Sequence, residues 1–325
     1  MGSLTDMETA RAGLTSVVGR VTLGSPLIIA AGPWSAGEEP ELVAPAEARA
    51  AGALISKTVT LRPRAGNPEP TVLAVSGGLL NCIGLRNPGV AEFIAGRLPR
   101  LLALPTRVLV SVAAEQPGEL AELLVRLEGE TAAEQVIGYE LNASCPNLSG
   151  EPPAPPQLHA LVAAARQKTG RPLWVKLGYA DRSLLGERAR ACADGGADAL
   201  VATNTAPALA LTGGDSATPR PLDLELSPFL GGLSGASLHP LALRAVWELT
   251  RAQPLPVIGC GGVRGLDEAL AFFRVGARAV QIGSALYPPA TGARAPVLSV
   301  LQRELAEHLR ERGTSSLVDY LQRWR

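Results

Sequence analysis

Short apolar or β-branched runs alternate with longer amphipathic runs along most of the chain. The short runs are apolar at successive positions, which predicts buried strands. The longer runs repeat their apolar residues at helical spacing, and several begin with Pro or an acidic residue and end at Gly, as helices do. The predicted strands cover residues 25–32, 53–60, 107–114, 136–144, 173–178, 197–205, 256–262 and 279–286. The predicted helices cover residues 40–52, 89–104, 117–130, 155–170, 183–196, 237–253, 265–276 and 295–313.

This alternation predicts a parallel sheet, because strands that are apolar on both faces need helices on both sides. Eight strand–helix units favour a closed (β/α)8 TIM barrel over a doubly wound sheet. A chain of 325 residues suits one such barrel, so we expect a single domain over residues 1–325, with two smaller domains as the alternative. The Pro- and Gly-rich segments 61–80 and 206–236 are too long for simple connections, and we expect a hairpin and a lid-like loop over the barrel mouth.

The charge balance argues against two classes of partner. The chain has 30 basic and 30 acidic residues, whereas nucleic acids and anionic membranes are bound mainly through basic excess. No apolar run approaches the roughly 20 residues that a membrane helix needs, and the N-terminal residues do not resemble a secretion signal. We therefore expect a soluble, cytoplasmic protein that binds neither nucleic acid nor a membrane.

Polar residues and glycines cluster where the predicted strands end. The active sites of TIM barrels lie at this end of the strands, so we expect these residues to share one mouth. They are Lys57, Asn142, Cys145, Lys176, Asn204, Thr205, Gly261, Gly262, Gly283 and Ser284, and Asn81 and Asn87 can reach the same rim from the end of the predicted hairpin.

The glycines of the last two strand ends, in GCGG and IGSA, suit a phosphate. Small residues let backbone N–H groups approach an anion, and the following helix N-terminus attracts negative charge. The alternative is that these glycines only form tight turns.

The chain has only three lysines, and two of them end predicted strands. Lys168 closes a predicted helix, where a cation beside the last carbonyl groups is ordinary. An ammonium at Lys176 would be costly to bury without an anionic partner, and a flavin provides one when it is reduced. The alternative is that Lys57 and Lys176 extend their charged ends to solvent at the rim.

The asparagines of the rim offer uncharged donors and acceptors, which suit a planar ring with alternating C=O and N–H groups. Beside them, the thiol of Cys145 can act as a base toward a C–H bond while hydride leaves the neighbouring carbon. None of His159, His239 and His308 lies at a predicted strand end, so no histidine competes for this role. The other cysteines, Cys82, Cys192 and Cys260, form no C-x-x-C pair with it or with each other, so neither a zinc site nor an Fe–S cluster is predicted.

These motifs resemble those of the class 1 dihydroorotate dehydrogenases, which are FMN-dependent (β/α)8 barrels. The resemblance covers roughly residues 20–290 in the family's order. Its most specific parts are NASCPN and GGLSG, and the Cys in the first of these marks class 1, because the similar membrane-associated class 2 enzymes have Ser there. The other matching stretches are SKTVTLRPRAGNPEP, NCIGLRNPGV, VKLG, TNT, IGCGGV and AVQIGSALY.

The resemblance implies oxidation of dihydroorotate to orotate in pyrimidine biosynthesis. Cys145 would remove the C5 proton while flavin N5 takes the C6 hydride, and Lys57 would lie near both substrate and flavin. The implied substrate-binding residues are Lys57, Asn81, Ile83, Gly84, Leu85, Asn142, Asn147, Asn204 and Thr205. The implied FMN-binding residues are Ala30, Ala31, Gly32, Lys57, Asn142, Lys176, Gly235, Gly261, Gly262, Gly283 and Ser284, with the last four around the phosphate.

Three other functions remain as alternatives. A related dihydropyrimidine dehydrogenase of the dihydrouracil type looks similar and also uses a thiol. A tRNA dihydrouridine synthase would need a basic surface, and a flavin-binding subunit without activity would not need Cys145 and both rim lysines. SKTVTLRPRAGNPEP looks most like the form that pairs with an Fe–S/FAD electron-transfer subunit and uses NAD, which implies a homodimer or a heterotetramer.

Overall fold

Eight parallel strands form a closed barrel in the computed structural model of the chain. The structure describes residues 13–32, 43–130, 135–144, 152–212, 227–287, 296–314 and 316–323. The strands are β1 (Ser16–Val18), β2 (Val21–Leu23), β3 (Leu27–Ile29), β4 (Ala53–Ile55), β5 (Val72–Val75), β6 (Gly78–Asn81), β7 (Val108–Val112), β8 (Val136–Asn142), β9 (Leu173–Leu177), β10 (Ala199–Ala202), β11 (Ala206–Thr212), β12 (Ser227–Ser234), β13 (Val257–Cys260) and β14 (Ala279–Ile282).

Helices follow the barrel strands and surround them. They are α1 (Pro45–Ala50), α2 (Val90–Glu92), α3 (Leu98–Leu102), α4 (Pro117–Glu128), α5 (Pro155–Lys168), α6 (Arg182–Asp194), α7 (His239–Ala252), α8 (Leu266–Arg274), α9 (Leu298–Glu311) and α10 (Leu317–Gln322), with 3-10 turns at Ala236–Leu238 and Ser284–Leu286. A π-helical turn, Phe93–Arg97, separates α2 from α3 where one helix was predicted over 89–104. Pro99 explains the break, since it has no N–H to continue the regular α-helical ladder.

The predicted (β/α)8 fold is confirmed. Each predicted strand contains one barrel strand, and the barrel closes in the order β3-β4-β7-β8-β9-β10-β13-β14. The strands are shorter than predicted because their C-terminal residues leave the sheet as loops; Lys57, for example, lies beyond β4 (Ala53–Ile55). These loops carry most of the predicted site residues.

Side chains alternate between the two faces of each barrel strand and so form two clusters. Inward residues such as Ile28, Leu109 and Trp174 fill the barrel, and outward residues pack beneath the helices. The antiparallel β1–β2 hairpin adds Val18 and Leu23 to the inner cluster, so it closes one end of the barrel.

Asp198, one residue before β10, ties that hairpin to the N-terminal end of the barrel. Its carboxylate accepts hydrogen bonds from Arg20 Nε at 2.7 Å, from Arg166 Nη2 at 3.1 Å and from the Leu173 N–H at 2.7 Å. Burial by itself raises the pKa of Asp198, but the hydrogen bonds and the charges of Arg20 and Arg166 outweigh it, so the pKa lies below its ordinary value.

Asp198→Asn should lower the free energy of unfolding by roughly 1–3 kcal/mol at neutral pH, because charge-assisted hydrogen bonds to a largely buried acceptor are lost. The folded-state pKa is depressed, so this stability is present above the unfolded-state pKa of about 3.9 and is lost as pH falls through the folded-state pKa. Urea denaturation at a series of pH values measures the difference. Asp194→Asn, at an exposed position, is the control, and a gap between wild type and Asp198→Asn that did not shrink in acid would contradict the prediction.

A four-stranded antiparallel sheet, β11-β12-β6-β5, joins the two insertions beside the barrel. The predicted hairpin of residues 61–80 is present as β5–β6. Residues 206–212 and 227–234 are strands rather than the predicted lid-like loop, because β12 pairs with β11 along most of its length and with β6 over Gly232–Ser234, so neighbouring strands accept and donate its backbone hydrogen bonds. Residues 213–226 lie outside the described residues.

Within the described part of the chain, every helix is too short or too polar to span a bilayer.

Candidate active site

A cavity opens at the C-terminal ends of the barrel strands and extends to the four-stranded sheet. It encloses about 1310 Å³, including its open mouth, and Leu79 of β6 and Ser234 of β12 form part of its wall. Most of the predicted site residues line it: Ala30, Ala31, Gly32, Lys57, Asn81, Ile83, Leu85, Asn142, Lys176, Asn204, Thr205, Gly235, Gly261, Gly262, Gly283 and Ser284. Residues far apart in sequence are therefore brought to one mouth.

Three residues of the predicted substrate and FMN sites are not placed in the cavity wall. Cys145 and Asn147 lie outside the described residues. Gly84 lies between two lining residues and has a left-handed φ of +74°, and a Cβ atom there would be 2.8 Å from the backbone nitrogen of Asn67. Its glycine is needed for the shape of the loop that carries Ile83 and Leu85.

The floor of the cavity holds a buried polar chain from three strands. Lys176 of β9 donates from Nζ to Gln281 Oε1 of β14 at 3.0 Å, and Gln281 Nε2 donates to Glu140 Oε2 of β8. The three side chains are at most 6% exposed. The three side chains face inward above the apolar interior of the barrel. On β9, for example, Lys176 lies two residues after the inward-facing Trp174 and so points to the same side of the strand.

Burial dominates the ionisation of this cluster. It raises the pKa of Glu140, and the charge of Lys176 and the Gln281 hydrogen bond only partly offset it. Burial also raises the pKa of the Cys260 thiol, despite the Lys176 charge, so Cys260 is a neutral thiol at neutral pH. Burial by itself lowers the pKa of Lys176. The negative charges of Cys260 and Glu140 in their ionised forms have the opposite effect and outweigh burial, so the pKa of Lys176 is raised. Glu140, linked to Lys176 through Gln281, is the carboxyl group of this cluster.

The rim above the floor is an amide and hydroxyl network. Asn204 Nδ2 donates to Asn142 Oδ1 at 3.1 Å and to Ser144 Oγ at 3.2 Å, and Asn142 Nδ2 donates to Thr58 Oγ1 at 3.2 Å. Asn204 Oδ1 accepts the Thr205 N–H at 2.8 Å. Since each amide is held by a neighbour, the network orients uncharged donors and acceptors at the mouth.

The loop after β13 approaches the start of α7 closely. Gly261 and Gly262 have φ of +138° and +72°, and a Cβ atom on either would lie 2.6 Å from the Cβ of Ala242 or of His239. His239 Nδ1 lies 3.1 Å from the Gly261 carbonyl oxygen. Both glycines are therefore required to bring this loop to the cavity.

Several polar lining or network residues are absent from the sequence prediction, among them Thr58, Glu140, Ser144, Thr203 and Gln281. Glu140 and Gln281 carry a signal, because each is a polar side chain inside an apolar strand. Asn87 was expected to reach the rim. Its side chain instead donates to Thr60 Oγ1 at the base of the hairpin, and Asn87 is not among the lining residues.

The remaining cysteines lie in different surroundings. Cys192 is fully buried in α6, and burial raises its pKa to about 12, so it belongs to the core. Cys260 lines the cavity, whereas half-buried Cys82 does not.

Comparison with known proteins identifies the family. A model of the dihydroorotate dehydrogenase family matches residues 14–308. The chain belongs to the dihydroorotate dehydrogenase family. The catalytic subunit of dihydroorotate dehydrogenase B (NAD(+)) from Pelobacter propionicus is 37% identical over 309 residues, which cover 93% of this chain and 94% of that protein. The corresponding subunit from Desulforudis audaxviator is 40% identical over 294 residues, covering 88% and 91%.

A solved structure agrees with the fold. The structure of DHODH in complex with ferulenol from Eimeria tenella has a TM-score of 0.72, covers 95% of this chain and 87% of that chain, and is 20% identical. The predicted class 1 dihydroorotate dehydrogenase family, with its oxidoreductase activity on dihydroorotate and its FMN cofactor, is confirmed by the family match and the relatives.

The residues of the cavity fit FMN. Glu140 Oε1 and Thr203 Oγ1 are buried without a partner among the described residues, although both residues line the cavity, and such atoms normally bind a ligand or water. Lys176 supplies a fixed cation for an electron-accepting ring, and the glycine loops after β13 and β14 occupy the usual phosphate position of TIM barrels. Lys176 would therefore face the ring, and Gly261, Gly262, Gly283 and Ser284 would hold the phosphate.

Proposed function

We propose that this dihydroorotate dehydrogenase family member oxidises dihydroorotate to orotate with Cys145 as the base that removes the C5 proton. FMN, when bound, supplies the acceptor for the hydride that leaves C6. The asparagine network carries this proposal, because it reaches the residue next to Cys145: Ser144 Oγ accepts from Asn204 and donates to the Lys176 carbonyl oxygen at 3.1 Å. The chain is thus anchored at the mouth immediately before residue 145.

The cavity also supports a role in holding the pyrimidine. Asn142, Asn204 and Thr205 would bond to the ring amides, with Asn81 and Asn147 completing the set. Lys57 lines the same cavity and would pair with the carboxylate of dihydroorotate, which dihydrouracil lacks. A buried or half-buried carboxylate needs such a partner, so Lys57 favours dihydroorotate over the dihydrouracil-type alternative.

Anaerobic reduction of the yellow FMN-loaded protein tests the function. Dihydroorotate should bleach the flavin, and dihydrouracil should do so far more slowly. A protein that binds FMN but is bleached by neither compound would be a flavin-binding subunit, and one that prefers dihydrouracil would belong to the alternative reaction; either result would overturn the proposal.

Lys57→Met should remove the preference for dihydroorotate. We expect its KM for dihydroorotate to rise on the order of 10- to 100-fold, since a charge-assisted hydrogen bond contributes about 1.5–3 kcal/mol. Flavin reduction at varied concentrations of dihydroorotate and dihydrouracil gives the ratio. Lys168→Met, at the C-terminal end of α5, is the matched control and should behave as wild type; an unchanged ratio in Lys57→Met would refute the role of Lys57.

The relatives' names include the words "catalytic subunit" and "NAD(+)". On that basis we propose that this chain also works with a second subunit, an Fe–S/FAD protein that passes electrons to NAD, within a heterotetramer built on a homodimer. Reoxidation of the reduced protein by fumarate, NAD and quinone in parallel tests this. Rapid reoxidation by fumarate without a second subunit would contradict it.

A further inference from the structure

The buried chain on the cavity floor separates a cation from a carboxylate by a neutral amide. Gln281 accepts from Lys176 Nζ with its oxygen and donates to Glu140 with its nitrogen, so both ends of the amide are used. This orientation is the one that links a cation to an anion, because only the oxygen can face the ammonium and only the NH2 group can face the carboxylate. Neither Gln281 nor Glu140 has a role in the proton abstraction proposed above.

The charges around Lys176 leave one candidate for its counter-ion. A buried ammonium is stable only when a negative charge compensates it. The titratable groups that line the cavity with it are Lys57 beyond β4, Glu140 of β8, Cys260 of β13 and Tyr287 beyond β14, and Glu140 is the one carboxyl group among these described residues. Lys57 is itself a cation, and the thiol of Cys260 stays protonated at neutral pH. Among the described residues of the cavity wall, only Glu140 can carry the compensating charge.

We propose that Glu140 is a positioning residue that acts through Gln281 as the counter-anion of Lys176, and that it thereby keeps Lys176 protonated and sets how readily FMN is reduced. The amide spacer keeps the carboxylate from neutralising the ammonium by direct contact, so Lys176 retains donors for the cofactor. The negative charge of Glu140 also opposes the arrival of electrons at the ring above. The proposal uses FMN binding, but neither Cys145 nor the identity of the substrate.

The protonation of Lys176 gives the first test. The chain contains only Lys57, Lys168 and Lys176, so 15N labelling of lysine yields three side-chain signals, which Lys→Arg variants assign. We expect Lys176 of the wild-type holoprotein to stay protonated throughout the pH range in which the protein is folded. In Glu140→Gln its titration midpoint should fall into that range, by at least one pH unit. Failure of Lys176 to titrate there in Glu140→Gln would overturn the proposal.

The midpoint potential of bound FMN gives the second test, measured by chemical reduction so that substrate chemistry is not involved. Below the Lys176 midpoint, Glu140→Gln should favour the reduced form on the order of tenfold, which is about 30 mV for a two-electron couple. An unchanged potential would overturn the proposal. Glu248→Gln, a similarly buried carboxylate on α7 that pairs with surface Arg244, is the control and should leave both readouts unchanged.

A second variant keeps the test independent of any folding defect in Glu140→Gln. Gln281→Met preserves side-chain volume but removes the link, so the Lys176 midpoint should fall in this variant too. A wild-type Lys176 titration in Gln281→Met would show that the amide does not couple the pair and would overturn the proposal. Cys145→Ala should lose dihydroorotate oxidation but keep the wild-type Lys176 titration and FMN midpoint potential. The proposal for Cys145 and the proposal for Glu140 can therefore fail separately.

Discussion

Cys145→Ala should reduce bound FMN with dihydroorotate on the order of 10²-fold more slowly than wild type, or slower still, because loss of a general base commonly costs 10²–10⁴-fold. The asparagine network that holds Ser144 remains in this variant, so we expect dihydroorotate to bind with nearly unchanged affinity. Anaerobic stopped-flow measurement of flavin bleaching gives the rate.

Two comparisons separate the loss of a base from the loss of the cofactor. Chemical reduction of FMN in Cys145→Ala should match wild type, because it needs no proton abstraction from substrate. Cys82→Ala, which removes a thiol that is not among the cavity-lining residues, should bleach at the wild-type rate. Wild-type kinetics in Cys145→Ala would show that the proton leaves by another route.

Glu47→Ala should lower the free energy of unfolding by roughly 3 kcal/mol, a change on the order of 10²-fold in the unfolding equilibrium. The Glu47 carboxylate, in α1, is 6% exposed and accepts the N–H groups of Val297, Leu298 and Ser299 at 2.8–3.0 Å. These groups begin α9, where N–H donors lack partners within the helix and a negative charge is favoured. The alanine variant would leave these buried or partly buried N–H groups without their acceptor.

Urea denaturation measures this change. Glu307→Ala, on the exposed face of α9, is the matched control and should stay within about 0.5 kcal/mol of wild type. Glu47→Gln keeps one carbonyl oxygen as an acceptor and should lose less than the alanine variant. A stability of Glu47→Ala equal to that of the control would show that the carboxylate does not hold α9.

The rim of the active site could be predicted because barrel topology converts sequence position into spatial position. Lys57, Asn142, Lys176 and Asn204 each follow or end an apolar strand, and the C-terminal ends of parallel strands in a barrel meet at one mouth. Position along the sequence was therefore enough to place these four side chains at one mouth. The motif around Cys145 then indicated the family, which the comparisons confirm.

The hairpin over the mouth was predicted only in part. Residues 61–80 have the Pro, Gly and short apolar runs of a hairpin, but residues 206–236 have the composition of a loop. β12 becomes a strand there because it pairs with β6, which lies far away in sequence. Such pairing depends on contacts across the fold and leaves little local signal.

The sequence alone determined the eight strand–helix units, the closed barrel and the mouth that holds the reactive groups, because the period of apolar residues and the polarity of strand ends are local properties. Only the tertiary structure decided which polar groups touch. Glu140 and Gln281 are 141 residues apart and lie on β8 and β14, strands that are not neighbours in the barrel. Gln281 links Glu140 to Lys176 across the barrel interior, since inward positions converge there, and burial strengthens the influence of this link on charge.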